Sequence, residues 1–90
     1  MSVAKHIDDT GRPVIAGTDI KVSHIAAQYE RDGMSPDEII EAHPHLALAA
    51  VHAALAYYYD HQDAIRREWA EDRDLVKALR ARYGQSKASA

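Results

Sequence analysis

The chain has 90 residues, a net charge of -3 with histidine neutral, and no cysteine. That length supports one small domain whose single core is only marginally sufficient, the missing thiols exclude disulfides and thiolate metal sites, and the charge excludes a strongly basic nucleic-acid binder. With no apolar run long enough to span a bilayer and a polar N-terminus that predicts no signal peptide, a cytoplasmic protein without membrane contact is expected.

The charge is unevenly spread. Residues 31–60 carry Arg31 against Asp32, Asp37, Glu38, Glu41 and Asp60. Residues 61–90 carry Arg66, Arg67, Arg73, Lys77, Arg80, Arg82 and Lys87 against five carboxylates. These read first as two solvated surfaces, because exposed ion pairs contribute little; attraction between the acidic middle of one subunit and the basic tail of another is the alternative.

In chain order, Val3 to Asp9 predicts a short strand with Val3, Lys5 and Ile7 on one face. Asp9-Thr10-Gly11-Arg12-Pro13 is turn chemistry, Pro13 to Ala16 a second short strand, and Gly17-Thr18-Asp19 another turn before Ile20-Lys21-Val22. Strands this short make no independent sheet and must lie on helices or pair with a second chain. Such an edge is a natural dimer contact.

Ser23 is the expected cap of a first helix running to about Asp32, with Val22, Ile25, Ala26 and Tyr29 on one stripe. The sharpest local signal follows. Gly33 suits the left-handed conformation that closes a helix. Ser35 and Glu38 form a capping box around Pro36, and Met34 and Ile39 occupy the positions of a hydrophobic staple. One helix therefore stops and another starts within about three residues, a corner of the helix-turn-helix kind. The second helix is expected to run from Pro36 to about Ala42, where His43-Pro44-His45 breaks it. A third opens at Leu46 or Ala47 and buries Leu48, Val51, Leu55, Tyr58 and Tyr59. Two of the tyrosines 57–59 are expected to be packed, with hydroxyls reaching solvent. From His61 to Tyr83, Ile65, Trp69, Val76, Leu79 and Tyr83 form a narrow seam with Asp72 in its one polar slot. Asp72 also offers a cap for a second short helix, so a break there is an alternative. The periodicity ends at Gly84.

Four blocks in this order carry a resemblance. Pro13 to Val22, Gly33 to Ile39, His43 to Leu46 and Ala53 to Tyr57, within roughly residues 8 to 62, resemble domain of unknown function family 433. The resemblance implies a homeodomain-like fold and a VapB-class antitoxin paired with a PIN-type ribonuclease toxin. The family usually places a basic residue after Gly-Thr; here the residue is Asp19, poorly suited to phosphate.

The histidines show no HExxH or similar spacing, and metal sites need three or four converging ligands, so no metal or other cofactor is expected. His43 and His45 are expected to bond backbone at the corner. The sequence has no cysteine nucleophile, Gly-rich phosphate loop or serine elbow, so no enzyme activity and no catalytic residue are expected. For DNA, the leading outward residues of the third helix are Ala47, Ala49, Ala50 and His52, with no Arg, Asn or Gln for bidentate base contacts. Phosphate contacts then fall to Lys5, Arg12, Lys21 and Arg31, or to the basic tail. The partner-binding candidates are Ile65, Trp69, Val76, Leu79 and Tyr83, a seam suited to a groove in another protein; completion of the domain's own core or a homodimer is the competing use.

The expected architecture is thus mainly α. An N-terminal β arm or hairpin (1–22) precedes a three-helix homeodomain-like, helix-turn-helix core (23–60), a long C-terminal helix (61–84) and a disordered tail (85–90). The expected function is an antitoxin-like regulator acting as a homodimer, with a PIN-type toxin on the last helix and operator DNA on the core. The alternative is a protein-interaction module that never touches DNA.

Overall fold

The computed structural model describes the backbone of residues 5–88 and the side chains of residues 5–83. Two short strands, β1 (Ile7–Asp8) and β2 (Val14–Ile15), precede four helices: α1 (Val22–Glu30), α2 (Pro36–Ala42), α3 (Leu48–Asp60) and α4 (Gln62–Ala88). The strands are antiparallel, with Ile7 opposite Ile15 and Asp8 opposite Val14. Asp8 shapes the intervening turn by accepting hydrogen bonds from the amide (3.1 Å) and hydroxyl (2.8 Å) of Thr10. Two-residue strands cannot hold themselves together, and Ile7 and Ile15 are accordingly buried in the helical core. The expected start of the first strand at Val3 lies outside the described residues.

Helix α1 begins two residues earlier than a cap at Ser23 predicts. Lys21 is its N-cap and supplies no side-chain bond. The hairpin supplies what a capping side chain would: the Pro13 carbonyl accepts from the Val22 amide at 3.0 Å. Ser23 is thereby carried inside the helix and is buried. At the other end Gly33 has φ +68, and the Met34 amide donates to the Gln28 carbonyl at 3.0 Å. The capping box around α2 forms as its sequence predicts: Ser35 Oγ accepts from the Glu38 amide at 3.2 Å, and Glu38 Oε1 accepts from the Ser35 amide at 2.8 Å. Met34 packs against the core that Ile39 helps form.

Helix α3 crosses the middle of the domain. Its buried residues are Ala50, Val51, Ala53, Ala54, Leu55 and Tyr58. The small side chains let neighbouring backbones approach closely, and α1 packs along this face. Leu48 and Tyr59 are exposed, against expectation. The alanine-rich contact face takes the inward positions and turns these two larger residues to its margins. Tyr58 is the one fully buried tyrosine, donating its hydroxyl to Glu30 at 3.2 Å, while Tyr57 is half-buried with its ring stacked on His61 at 4.0 Å.

Helix α4 is continuous. It has no break at Asp72 and passes through Gly84 to Ala88, where the sequence predicts a stop and a disordered tail. A single helical glycine costs only about 1 kcal/mol relative to alanine, and the flanking Arg82, Gln85, Lys87 and Ala88 favour helix. Residues 89 and 90 lie outside the described residues. The helix extends past the body: the molecule measures 55 × 26 × 23 Å with a radius of gyration of 15.4 Å, against about 12 Å for a compact chain of this length.

Removing the Ser35 hydroxyl leaves the Glu38 amide without its cap. Ser35→Ala is expected to lower the unfolding free energy by about 1 kcal/mol in urea titration, with an unchanged denaturant slope.

Candidate functional groove on α4

The seam predicted on the last helix divides into two halves. Ile65 is fully buried in the core of its own subunit and Trp69 packs against that core. The indole N–H of Trp69 donates to the Ser23 carbonyl at 2.9 Å, and its ring lies 5.5 Å from Tyr58. Ile65 is therefore unavailable to a partner, and Trp69 is largely committed to its own domain. Beyond them Val76, Leu79 and Tyr83 continue the same stripe in the open, joined by Leu75, with exposures from 43% at Leu79 to 63% at Tyr83. The reason is geometric. Helix α4 spans about 40 Å at 1.5 Å per residue, and α1 and α3 extend far enough to cover only its first part.

Asp72 sits where the two halves meet. Arg12 from the hairpin turn reaches it at 2.8 Å and reaches Glu71 at 2.9 Å. The hydrogen bond from Arg12 holds the Asp72 carboxyl below its ordinary range, and the same contact raises the guanidinium. The slot that reads as a cap or a break is thus an anchor for the hairpin, and Arg12 is engaged within its own chain. Glu68, one turn earlier, is buried with Oε2 lacking a hydrogen-bond partner.

Beside the junction lies a groove of about 660 Å3 lined by Arg31, Trp69, Asp72, Arg73, Val76, Lys77 and Arg80. Arg31, the C-cap of α1, places its guanidinium carbon 4.6 Å from the centroid of the Trp69 ring, within cation–π range. Arg31 was expected among DNA contacts, and Trp69 and Val76 among partner contacts; the fold brings all three to one groove. Arg73, Lys77 and Arg80 complete it. In the sequence they belong to a diffuse basic tail, and their spacing of four and three residues, one helix face, is the signal that selects them.

The remaining expected DNA residues lie on separate elements, outside this groove. Lys21 is exposed at the N-terminal end of α1, opposite Arg31, and Lys5 is exposed ahead of β1. Ala49 and His52 are exposed on the first turns of α3, but Ala50, expected outward, is buried.

His43 does not use its ring for backbone bonding. Its Nε2 lies 3.2 Å from Gln28 Oε1, and its ring meets His24 edge-on at 5.6 Å. Burial, then the nearby His24 and His45, lowers its pKa from the ordinary value. Among the described residues no group of three or more His, Asp or Glu side chains is placed to hold a metal ion, and no helix is long and apolar enough to cross a membrane.

A family model described as a protein of unknown function (DUF433) matches residues 10–58, more than half of the chain. The chain belongs to the DUF433 family. The DUF433 match takes in β2, α1, α2 and all but the last two residues of α3, and ends before α4. The groove therefore joins one wall from the family region, Arg31, to a wall from outside it. No curated protein and no solved structure matches the chain.

Trp69→Phe keeps an aromatic ring but a smaller one and removes the N–H, and is expected to cost about 2 kcal/mol of stability from the lost hydrogen bond and packing together, measured by urea denaturation. The lowered pKa of His43 has a definite sign: below about 6.5, the ordinary histidine value, the unfolded chain binds a proton that the folded chain resists. Its effect on stability is absent at higher pH. As pH falls from about 7 to 5, stability is therefore expected to drop, and His43→Gln is expected to flatten that part of the thermal-melting profile.

Proposed function

We propose that this DUF433 protein works by binding other macromolecules, with the open half of α4 as its partner-binding segment. The observation that carries this reading is the stripe of Leu75, Val76, Leu79 and Tyr83, exposed on a helix whose first half is already anchored. Aromatic and long aliphatic side chains on one helix face are what a helix-in-groove partner takes. The resemblance to VapB-class antitoxins makes that partner a PIN-type ribonuclease toxin. Docking of Ile65 and Trp69 onto their own domain supports assigning the partner to residues 75–83 rather than to the whole of 61–83.

In the same reading the chain is a homodimer, and α1 to α3 form a homeodomain-like, helix-turn-helix unit that meets operator DNA through the start of α3. The tight corner at Gly33 to Glu38 supports this, and the exposed first turn with Ala49 and His52 is where the groove of the duplex would lie. The alternative is an interaction module that leaves DNA alone, favoured by the lack of base-reading side chains on that turn.

Expression together with the neighbouring gene product and affinity capture tests the partner segment. Leu79→Ser/Tyr83→Ser is expected to abolish co-purification while leaving the melting temperature within a few degrees. Retained capture would remove the assignment to this stripe. For the operator, an electrophoretic shift on DNA upstream of its own gene should exceed that on a scrambled duplex; equal mobility of both would favour the alternative.

A further inference from the structure

The basic groove is not accounted for by a partner that covers the apolar stripe. Four cations line it, and among the described residues none of Arg31, Arg73, Lys77 and Arg80 lies within salt-bridge distance of a carboxylate. In a chain with 14 carboxylates and 11 Lys and Arg residues, such a local excess is a surface of opposite sign to the molecule as a whole. The one carboxylate in the lining, Asp72, is already held by Arg12.

We propose that this groove binds the phosphodiester backbone of a nucleic-acid strand. The polar chemistry of its lining is almost wholly that of donors. Arg and Lys side chains donate and cannot accept, and the indole N–H of Trp69 is spent on Ser23. An extended peptide laid here would bring a row of backbone N–H groups to a lining whose one carboxylate, Asp72, is already bonded to Arg12 through Oδ1, and most of them would lose their water without replacement. A phosphodiester strand brings acceptors at every unit and is positioned by just such side chains.

Extent argues the same way. Arg73 and Arg80 stand about 10 Å apart along α4 at 1.5 Å per residue, with Lys77 between them and Arg31 across the groove. One phosphate cannot meet cations spread so far, whereas successive phosphates of a strand can. The Arg31 guanidinium carbon, 4.6 Å from the centroid of the Trp69 ring, is held at the wall of the groove by a cation–π contact and by no carboxylate. Binding of this kind is indifferent to base sequence, so it neither requires nor uses the exposed turn of α3, and it does not depend on operator recognition or on a protein partner.

Fluorescence anisotropy of the full chain tests it, with labelled 20-nucleotide DNA, RNA of the same sequence, and the DNA duplex, each titrated at 50 to 200 mM salt. Binding to at least one strand type is expected, weakening linearly on a log–log plot against salt. Arg73→Gln/Lys77→Gln/Arg80→Gln is expected to weaken binding at least tenfold and to reduce the steepness of that plot by about 2 to 3, since each lost phosphate contact removes about 0.7 to 0.9. Arg67→Gln/Arg82→Gln, which removes two charges outside the groove, should leave the slope nearly unchanged. Arg73→Lys/Arg80→Lys should retain it, which separates charge from folding. No binding at the lowest salt, an unchanged slope in the triple variant, displacement by inorganic phosphate at matched ionic strength, or equal competition by a polyglutamate peptide would each overturn the assignment.

Discussion

The docking of α4 through Ile65 and Trp69 sets the geometry of everything outside the hairpin and the first three helices. Ile65 is fully buried, and the Trp69 indole is tied to the Ser23 carbonyl at 2.9 Å. Together they fix where the long helix leaves the body and in which direction. That bond depends in turn on α1 starting at Val22, which depends on the Pro13 carbonyl taking the Val22 amide. A two-stranded hairpin too small to be stable alone thus determines the position of a helix far longer than itself. Arg12, from the same hairpin, closes the circuit by reaching Asp72.

The electrostatics follow from this placement. Acidic α2 and basic α4 are parts of one small surface, but only α4 has its cations lined up on a face that a neighbouring helix turns into a groove. Arg31 contributes because α1 ends beside Trp69, not because the tail is basic. The negative total therefore conceals a concentrated positive site, and its existence could not be reached by summing charges over thirds of the chain.

What the sequence made legible was local. The Ser35–Glu38 capping box, Gly33, and the bounds of α2 rest on neighbours within a few residues, and each forms as their chemistry requires. The two strands and the number of helices were readable for the same reason. The failures lie where a distant group decides. Ser23 looks like a cap until a hairpin carbonyl does that work. Leu48 and Tyr59 look like core until alanines claim the contact face. The seam from Ile65 to Tyr83 is uniform in sequence, yet it divides at the point where α1 and α3 run out, a boundary set by the dimensions of other helices. The groove suffered most: Arg31 lies some forty residues from the other cations that line it, and only the fold joins them.

The open half of α4 carries a consequence for how long the chain remains whole. A helical segment without tertiary cover opens on its own, far more often than the domain unfolds. Proteases cut opened chain, so cleavage would begin in this segment while the anchored body stayed intact. Under the proposed function, the capacity to hold a partner would then expire before the fold does, and an occupied segment would outlast an empty one because occupancy suppresses opening. Turnover and occupancy would in this way be read from the same few turns of helix.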